Sequence, residues 1–473
     1  MNLEKNRIPD HVQTIHLVAV CGTAMGALAC MLKELGYEVT GSDQRMYPPM
    51  SDFLVEKGIR TFDGFSADNL SYGPDLVVIG NAISKDNPES VKTREMGLWY
   101  CSMPQAVNRF AVACRKPIVV TGTHGKTTTS SLMAMVLHEA GLDPGFMIGG
   151  ILKNFHSNYR IGTGPYISIE GDEYDTAFFD KGPKFLHYDP YIAILTSVEF
   201  DHADIFTDLS HVCRVFDAFL SKLSPESTLI AYDGDKVIEE LIQNRNYKVF
   251  TYGKKKHSGW RLNNISIDPP YSVFEVMKSG IHYNTFQTRL MGEHNLLNAL
   301  AVIAAADRLG IDPSTIQRAL ENFESVKRRQ EIRGIKNGIT ILDDFAHHPT
   351  AVRETIKAVK PFYPKGRLIA VFEPRTNTSM RNIFQDVYPA CFDLADLICI
   401  RKPPLLEKIP EGERFSSIKL VQDMKERKKD AYYFEDTEEI IRFLKKSACS
   451  GDVVLVMSNG GFDNIHQRLI EEL

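Results

Sequence analysis

Apolar runs at intervals, each followed by a helical pattern, dominate the chain. The first run, residues 15–20, leads into a turn of small residues, Cys21-Gly-Thr-Ala-Met-Gly26. Leu28, Met31, Leu32 and Leu35 then recur at the spacing of one helix face, Gly36 closes the helix, and residues 37–40 begin a second strand. Another apolar strand is expected at 75–80. A second unit starts with a strand at 117–121, continues through Gly122-Thr-His-Gly-Lys-Thr-Thr-Thr129, and predicts a helix over 130–140. Strands are expected again at 166–170 and 191–198. Strand–helix–strand alternation of this kind predicts parallel sheets with helices on their faces.

The pattern changes between residues 246 and 292. Polar and apolar positions alternate there, turn residues and the Pro269-Pro270 pair interrupt them, and antiparallel hairpins are the expectation. An alanine-rich helix is expected at 295–309. After Lys327-Arg328-Arg329 the alternation starts afresh, with strands at 339–342, 368–372, 397–400 and 453–457. Boundaries near 110 and 325 therefore divide the chain into residues 1–110, 111–325 and 326–473. A length of 473 residues agrees with that count of three at roughly 150 residues per domain.

Composition narrows the function classes. Lys and Arg number 55 against 60 Asp and Glu, a net charge of −5, and this removes the usual electrostatic case for nucleic-acid or membrane-surface binding. A local basic pocket for a phosphorylated ligand remains compatible with it. Hydrophobic residues at 43% and charged residues at 24% exclude a disordered chain. No apolar run approaches the ~18–20 residues that span a bilayer, and the opening MNLEKNRIPD lacks the apolar core of a secretory signal. The eight cysteines are scattered without a Cys-x-x-Cys pair or zinc-ligand spacing. Free thiols in a reducing compartment, the cytoplasm, are the expectation.

The strongest chemical signal is Gly122-Thr-His-Gly125-Lys126-Thr127 between an apolar strand and a helix. Backbone N–H groups and a helix N-terminus there would face a phosphate, Lys126 would offer charge to the β and γ oxygens, and the Thr127 hydroxyl would suit Mg²⁺. The loop is a shortened variant, because Val120 stands where the strict phosphate-loop pattern wants its first glycine. A tight glycine turn with a solvated lysine is the plain alternative. At the end of the next strand comes Glu170-Gly-Asp172-Glu173-Tyr-Asp175. Four carboxylates in six residues repel one another unless a cation or solvent offsets them, and Glu170, directly after the strand, is the best Mg²⁺ candidate. A solvated acidic loop is the alternative.

Glu199-Phe-Asp201-His202-Ala-Asp204 also follows a strand, and His202 fits a second metal ion, a phosphate contact or a structural role equally well. In Gly292-Glu-His-Asn295-Leu-Leu-Asn298 the two asparagines share a helix face. Helix capping explains them as readily as an adenine contact. Asp343-Asp344-Phe-Ala-His347-His348-Pro349 looks like a site loop; zinc would lack a third His or Cys ligand, and a role at a domain junction facing a nucleotide fits better. Glu373-Pro-Arg375-Thr-Asn377 could bind an anionic substrate through Arg375 or be a polar loop. The turn at Gly22–Gly26 lacks the full dinucleotide fingerprint. Asp43, after the next strand, suits a ribose-binding acid, so an NAD-dependent oxidoreductase is an alternative drawn from another class.

Taken together, Gly122–Thr129, Glu170–Asp175, Glu199–Asp204, Gly292–Leu300, Lys327–Arg329 and Asp343–Pro349, in this order, resemble the motifs of the Mur ligases, the ATP-dependent amide-forming enzymes of peptidoglycan synthesis. The resemblance covers nearly the whole chain. It implies an α/β protein of three domains: an N-terminal Rossmann-like UDP-N-acetylmuramate-binding domain, a central phosphate-loop ATPase domain with a parallel sheet and a small antiparallel portion, and a C-terminal Rossmann-like domain that closes over the site. The turn at residues 21–26, Tyr47-Pro-Pro-Met-Ser51, Phe372-Glu-Pro-Arg375-Thr-Asn377 and Met457-Ser-Asn459-Gly-Gly-Phe462 are similar to the branch that joins L-alanyl-γ-D-glutamyl-meso-diaminopimelate to UDP-N-acetylmuramate in peptidoglycan recycling. The branch that adds L-alanine is the nearest alternative.

By resemblance, ATP is expected at Gly122, Thr123, His124, Gly125, Lys126, Thr127, Thr128, Asn295, Arg329 and Asp344. Mg²⁺ is expected at Thr127, Glu170 and His202. The UDP-sugar falls to Gly22, Thr23, Met25, Gly26, Ser42, Asp43 and Asn81, and the peptide to Arg375, Asn377 and Asn459. Lys126, His202, Asp344 and His347 are the expected catalytic set. The partners are small molecules only, with no nucleic acid and no membrane.

Overall fold

The structure, a computed structural model, describes residues 3–203 and 205–473. Asp204, part of the acidic run singled out above, lies outside the described residues. By its internal contacts the chain sorts into two compact units: Met1–Val198, Ser210–Trp260 and Leu300–Asn322 form the first, and Glu199–Leu209, Arg261–Ala299 and Phe323–Leu473 the second.

The first unit opens with a five-stranded parallel sheet. Its strands are β1 (Thr14–Val18), β2 (Glu38–Asp43), β3 (Arg60–Asp63), β4 (Leu76–Ile79) and β5 (Tyr100–Ser102), in the order β3-β2-β1-β4-β5. All four residues of β4 are buried, as an apolar run covered on both faces requires. The helix Thr23–Glu34 buries Leu28, Met31 and Leu32, and the chain leaves it through Gly36 at φ +95°. Strand order reverses between β1 and β4. The small-residue turn after β1 therefore sits at the crevice where doubly wound sheets bind ligands.

The larger sheet of this unit comprises β6 (Lys116–Thr121), β7 (Gly145–Leu152), β8 (Ser157–Arg160), β9 (Tyr166–Glu170), β12 (Ile192–Leu195), β13 (Thr228–Tyr232) and β14 (Lys248–Gly253), with a short hairpin of β10 (Asp175–Ala177) and β11 (Asp180–Pro183) beside it. The order β14-β13-β12-β6-β9-β7-β8 is parallel except for the β7–β8 pair. Two details differ from the sequence expectation. The helix after the glycine loop begins at Lys126 rather than 130, because Thr127, Thr128 and Thr129 are buried in its first turn and packing outweighs their β-branched preference. Residues 248–253, expected in a hairpin, pair in parallel with β13; their alternation comes from one exposed face, not from an antiparallel partner.

The antiparallel portion consists of β15 (Trp260–Asp268), β16 (Tyr271–Lys278) and β17 (Ile281–Thr288), with β16 and β17 paired antiparallel. The helix Glu293–Arg308 follows. The C-terminal part of the second unit holds a six-stranded sheet of β18 (Glu331–Lys336), β19 (Ile339–Asp344), β20 (Leu368–Phe372), β21 (Leu397–Arg401), β22 (Ala431–Phe434) and β23 (Val453–Met457). Their order is β18-β19-β23-β20-β21-β22, parallel except at the β18 edge. Alternate residues supply two cores. Leu342, Phe372 and Leu455 face Val352, Ile356, Tyr388 and Phe392, while Ile341, Val371 and Val454 face Ile440, Leu444 and Ile465. The C-terminal ends of β19, β20, β21 and β23 lie along one edge of this sheet, which gathers Asp344, Glu373, Arg401 and Ser458 there. Among the described residues, no helix is long and apolar enough to cross a membrane.

Candidate active site

In the first unit the loop between β6 and its helix is shaped by two left-handed glycines, Gly122 at φ +133° and Gly125 at φ +82°. A side chain at Gly122 would place Cβ 2.2 Å from Thr196 Oγ1, so backbone and neighbour meet there as only glycine permits. The segment after β12 braces the loop. Thr123 N–H donates to Ser197 O at 3.0 Å, His124 N–H to Ser197 Oγ at 2.9 Å, and Thr196 Oγ1 to His124 O at 2.5 Å.

Lys126 folds back over this loop. Its Nζ donates to Gly122 O at 2.6 Å and meets the Glu173 carboxylate at 2.8 Å, with only 12% and 3% of the two side chains exposed. Burial alone would push the lysine's pKa down, but the charges of Glu173, Asp172 and Glu170 outweigh it and hold the ammonium protonated. Thr127 Oγ1 donates to Glu170 Oε1 at 3.0 Å, and the other Glu170 oxygen accepts from Gly149 N–H at 2.7 Å. A helix N-terminus, a buried cation and a hydroxyl–carboxylate pair thus converge as a triphosphate and a hard divalent cation would require. Thr128 is buried behind them in the same helical turn. Glu173 was visible only as one member of the acidic run; the fold identifies it as the partner of the lysine.

At the N-terminal turn, Ala19 and Val20 N–H both donate to Ser42 O at 2.9 Å, and Cys21 N–H donates to Asp43 Oδ2 at 2.9 Å. Gly22 opens the helix that contains Thr23, Met25 and Gly26, and Gly26 leaves room for the Met50 side chain, 2.6 Å from where its Cβ would lie. Thr23 and Asn81 are exposed and Met25 is buried. Ser42 is buried, and its hydroxyl donates to Glu89 Oε2 at 2.6 Å. Glu89 also accepts from Asn69 Nδ2 at 2.6 Å and lies 3.3 Å from His16 Nε2. Burial would raise its carboxyl, but these donors keep it below the ordinary value. The side chain of Ser42 therefore faces inward, and its backbone carbonyl holds the turn.

In the second unit, Asp201, His202, His347 and His348 form one cluster with Glu199. His202 N–H donates to Asp201 Oδ1 at 2.7 Å, His347 Nε2 lies 4.0 Å from Asp201 Oδ2, and His348 Nδ1 lies 3.9 Å from Glu199 Oε2. Burial works against ionisation of Asp201, yet the three imidazoles hold its carboxyl at about 2. His202 itself sits at φ +57°. Asp344 is buried and accepts from Gln330 N–H and Ala346 N–H, each at 2.8 Å; desolvation raises its carboxyl despite the nearby charge of Arg329. Arg329 lies over the Phe345 ring at 5.1 Å. Asn295 Nδ2 donates to Met291 O at 2.9 Å and to Gln330 Oε1 at 3.2 Å.

Arg375, after β20, lies 3.7 Å from Glu373 Oε1. Asn377 is exposed on the same loop, and the Asn459 amide oxygen is buried with no hydrogen-bond partner among the described residues. Glu373 and Arg328, present in the sequence reading only as members of two motifs without roles of their own, are the organising groups of this edge.

The geometry accords with comparisons to known proteins. Three family descriptions match the chain in order: "Mur ligase family, catalytic domain" over residues 14–115, "Mur ligase middle domain" over residues 120–306 and "Mur ligase, glutamate ligase domain" over residues 328–460. A UDP-N-acetylmuramate–L-alanyl-γ-D-glutamyl-meso-2,6-diaminoheptandioate ligase of Escherichia coli K12 is 38% identical over 461 residues, 97% of this chain and 98% of that protein. Among solved structures, a murein peptide ligase from Psychrobacter arcticus has a TM-score of 0.71 at 33% identity, covering 98% of both chains. A UDP-N-acetylmuramate–alanine ligase from Thermotoga maritima has a TM-score of 0.80 at 27% identity, covering 98% of this chain and 99% of that one. Superposition thus favours the second and identity the first. Proteins named for different substrates share this fold, so residues, not backbone shape, discriminate between them.

Proposed function

The chain belongs to the Mur ligase family, and on that premise we propose that it joins L-alanyl-γ-D-glutamyl-meso-diaminopimelate to UDP-N-acetylmuramate at the expense of ATP, as a cytoplasmic enzyme of peptidoglycan recycling. Residues 1–110 take the UDP-sugar, 111–325 the nucleotide and 326–473 the peptide. The observation that carries the ATP-dependent ligase reading is the phosphate loop, with buried Lys126 on its helix N-terminus and Thr127 beside Glu170. The choice of peptide rests on the 38% identity to the diaminoheptandioate ligase.

The carboxylate of UDP-N-acetylmuramate attacks the γ-phosphorus of ATP and ADP leaves, giving an acyl phosphate. The amine of the peptide's L-alanine then attacks the acyl carbon, loses a proton and expels phosphate. Lys126 and the N–H groups at the helix N-terminus, residues 125–128, hold the β and γ oxygens and offset the charge that develops during transfer. Thr127 and Glu170 offer hard oxygens 3.0 Å apart that suit Mg²⁺, with His202 assigned to a second ion. When bound, Mg²⁺ would neutralise phosphate charge. Asn295 is assigned to adenine, and Arg329 and Asp344 to the rest of the nucleotide. Gly22, Thr23, Met25, Gly26, Asp43, Asn81 and the backbone of Ser42 are assigned to the UDP-sugar. Arg375, Asn377 and Asn459 are assigned to the peptide, Arg375 to one of its carboxylates. The proton that the amine loses goes to His347 or His348, or to His202 when it holds no ion.

Paired phosphate-release assays test this reading. With ATP and UDP-N-acetylmuramate present, the tripeptide is expected to stimulate phosphate release and free L-alanine is not. Stimulation by L-alanine alone would transfer the protein to the L-alanine-adding activity. Absence of nucleotide hydrolysis under every condition would remove the ligase assignment.

A further inference from the structure

We infer that Glu373, Arg328 and Gly460 form a cradle that aims the guanidinium of Arg375, making them positioning residues for peptide capture; this rests on the tripeptide reading above. Glu373 has no exposed surface, accepts from Ser458 Oγ at 2.7 Å and is ion-paired to Arg401 Nη1. Arg401 in turn reaches Asp463 Oδ2 at 2.7 Å through its other nitrogen. Both partners of Arg401 are anions, so it is committed within the protein. Arg375 is different: its side chain is 35% exposed, and Glu373 at 3.7 Å is close enough to orient it without occupying its donors.

The opposite wall is backbone. A Cβ on Gly460 would lie 2.2, 2.4 and 2.8 Å from Cδ, Nε and Cζ of Arg375, so the guanidinium stem lies against the bare α-carbon. The Ser458–Gly460 turn is itself fixed. Arg328 Nη2 donates to Ser458 O at 2.5 Å and Gly460 O at 2.7 Å, and Gly460 N–H donates to Ser458 Oγ at 2.9 Å. Arg328 lies over the Phe345 ring at 5.2 Å and holds a left-handed backbone, φ +62°. The neighbouring Glu373 and the distant Gly460, which Arg328 holds in place, thus meet Arg375 from two sides. Their combined effect is to leave a planar, five-donor cation presented in a single direction, the geometry that carboxylate recognition demands. Pre-orienting it removes ordering cost from peptide binding.

Gly460→Ala tests the cradle, because Gly460 does not occupy the left-handed region and alanine fits its backbone. Full-length protein is assayed with saturating ATP and UDP-N-acetylmuramate against the tripeptide and against the same peptide with its carboxylates converted to amides. The tripeptide KM is expected to rise tenfold or more, with the KM values of ATP, UDP-N-acetylmuramate and the amidated peptide unchanged. Glu373→Gln, which keeps the shape and the bond from Ser458, is expected to give the same split. An unchanged tripeptide KM in Gly460→Ala, or an equal rise for both peptides, overturns the cradle. Wild-type protein that fails to turn over the tripeptide overturns the proposed function instead, and the inference falls with it.

Discussion

Lys126→Ala separates the ion pair that this lysine makes from the phosphate contact proposed for it. The ammonium neutralises Glu173 in a place where only 3% of that side chain is exposed. Removing one partner of a buried pair costs about 3–5 kcal/mol, because the remaining charge has lost its counter-ion. The lower end applies here because water can enter the space the lysine vacates, which offsets the repulsion that Glu173 then meets from Glu170 and Asp172. The same ammonium is the cation proposed to meet the transferring phosphate, and loss of one pre-organised donor of that kind lowers turnover by about 10²–10³. Urea unfolding followed by circular dichroism is therefore expected to show a stability loss of about 3 kcal/mol, and phosphate release to fall to background, while UDP-sugar binding in calorimetry persists. The double variant Lys126→Ala/Glu173→Gln removes the stranded charge. It is expected to recover most of the stability and none of the activity. Wild-type turnover in the single variant would refute the phosphate role, and a double variant no more stable than the single one would refute the electrostatic reasoning.

Gly122→Ala forces a Cβ to 2.2 Å from Thr196 Oγ1 at φ +133°; backbone strain of about 1–3 kcal/mol and loss of phosphate release are expected, and a wild-type urea midpoint would contradict this. The Glu89 carboxyl is held below its unfolded value by Ser42, Asn69 and His16 against the effect of burial, so its stabilisation is complete above a pH of about 4.3 and is lost as pH falls towards the folded-state pKa. The stability advantage of wild type over Glu89→Gln should accordingly shrink between pH 6 and pH 3 in urea titrations, and a constant gap would refute the linkage. Chelation with EDTA should stop phosphate release without changing the urea midpoint, and added Mg²⁺ should restore it; release that survives chelation would remove the metal from Thr127 and Glu170.

The motifs at Gly122, Glu170, Asp344 and Glu373 were legible because each follows or ends an apolar strand, and strand ends are where parallel sheets expose chemistry. Gly122, Lys126 and Glu170 could be read this way, as could the alternation that places β19 and β20 in a second open sheet. What could not be read are pairings across long stretches of chain. Nothing near Glu173 indicates that it, rather than Glu170, meets Lys126. Ser42 sits beside Asp43 and reads as a ligand contact, yet its hydroxyl is claimed by Glu89, 47 residues away. Arg328 and Arg329 look equivalent in a basic run. The left-handed backbone at Arg328 sends its side chain to the carbonyls of Ser458 and Gly460, while Arg329 faces Asp344. The early start of the helix at Lys126 shows the converse: three successive threonines are weak helix formers, and their burial in the first turn outweighs that preference.

The bracing of the glycine loop by Thr196 and Ser197 bears on how the nucleotide proposed for it would be received. Three hydrogen bonds with the segment after β12 already hold the loop in shape before any ligand arrives. A socket standing ready in this way has little disorder left to surrender, so the heat released on docking is not cancelled by entropy. Ser197 and Thr196 thereby become sites where a change that touches no substrate would still be felt as weaker grip on ATP.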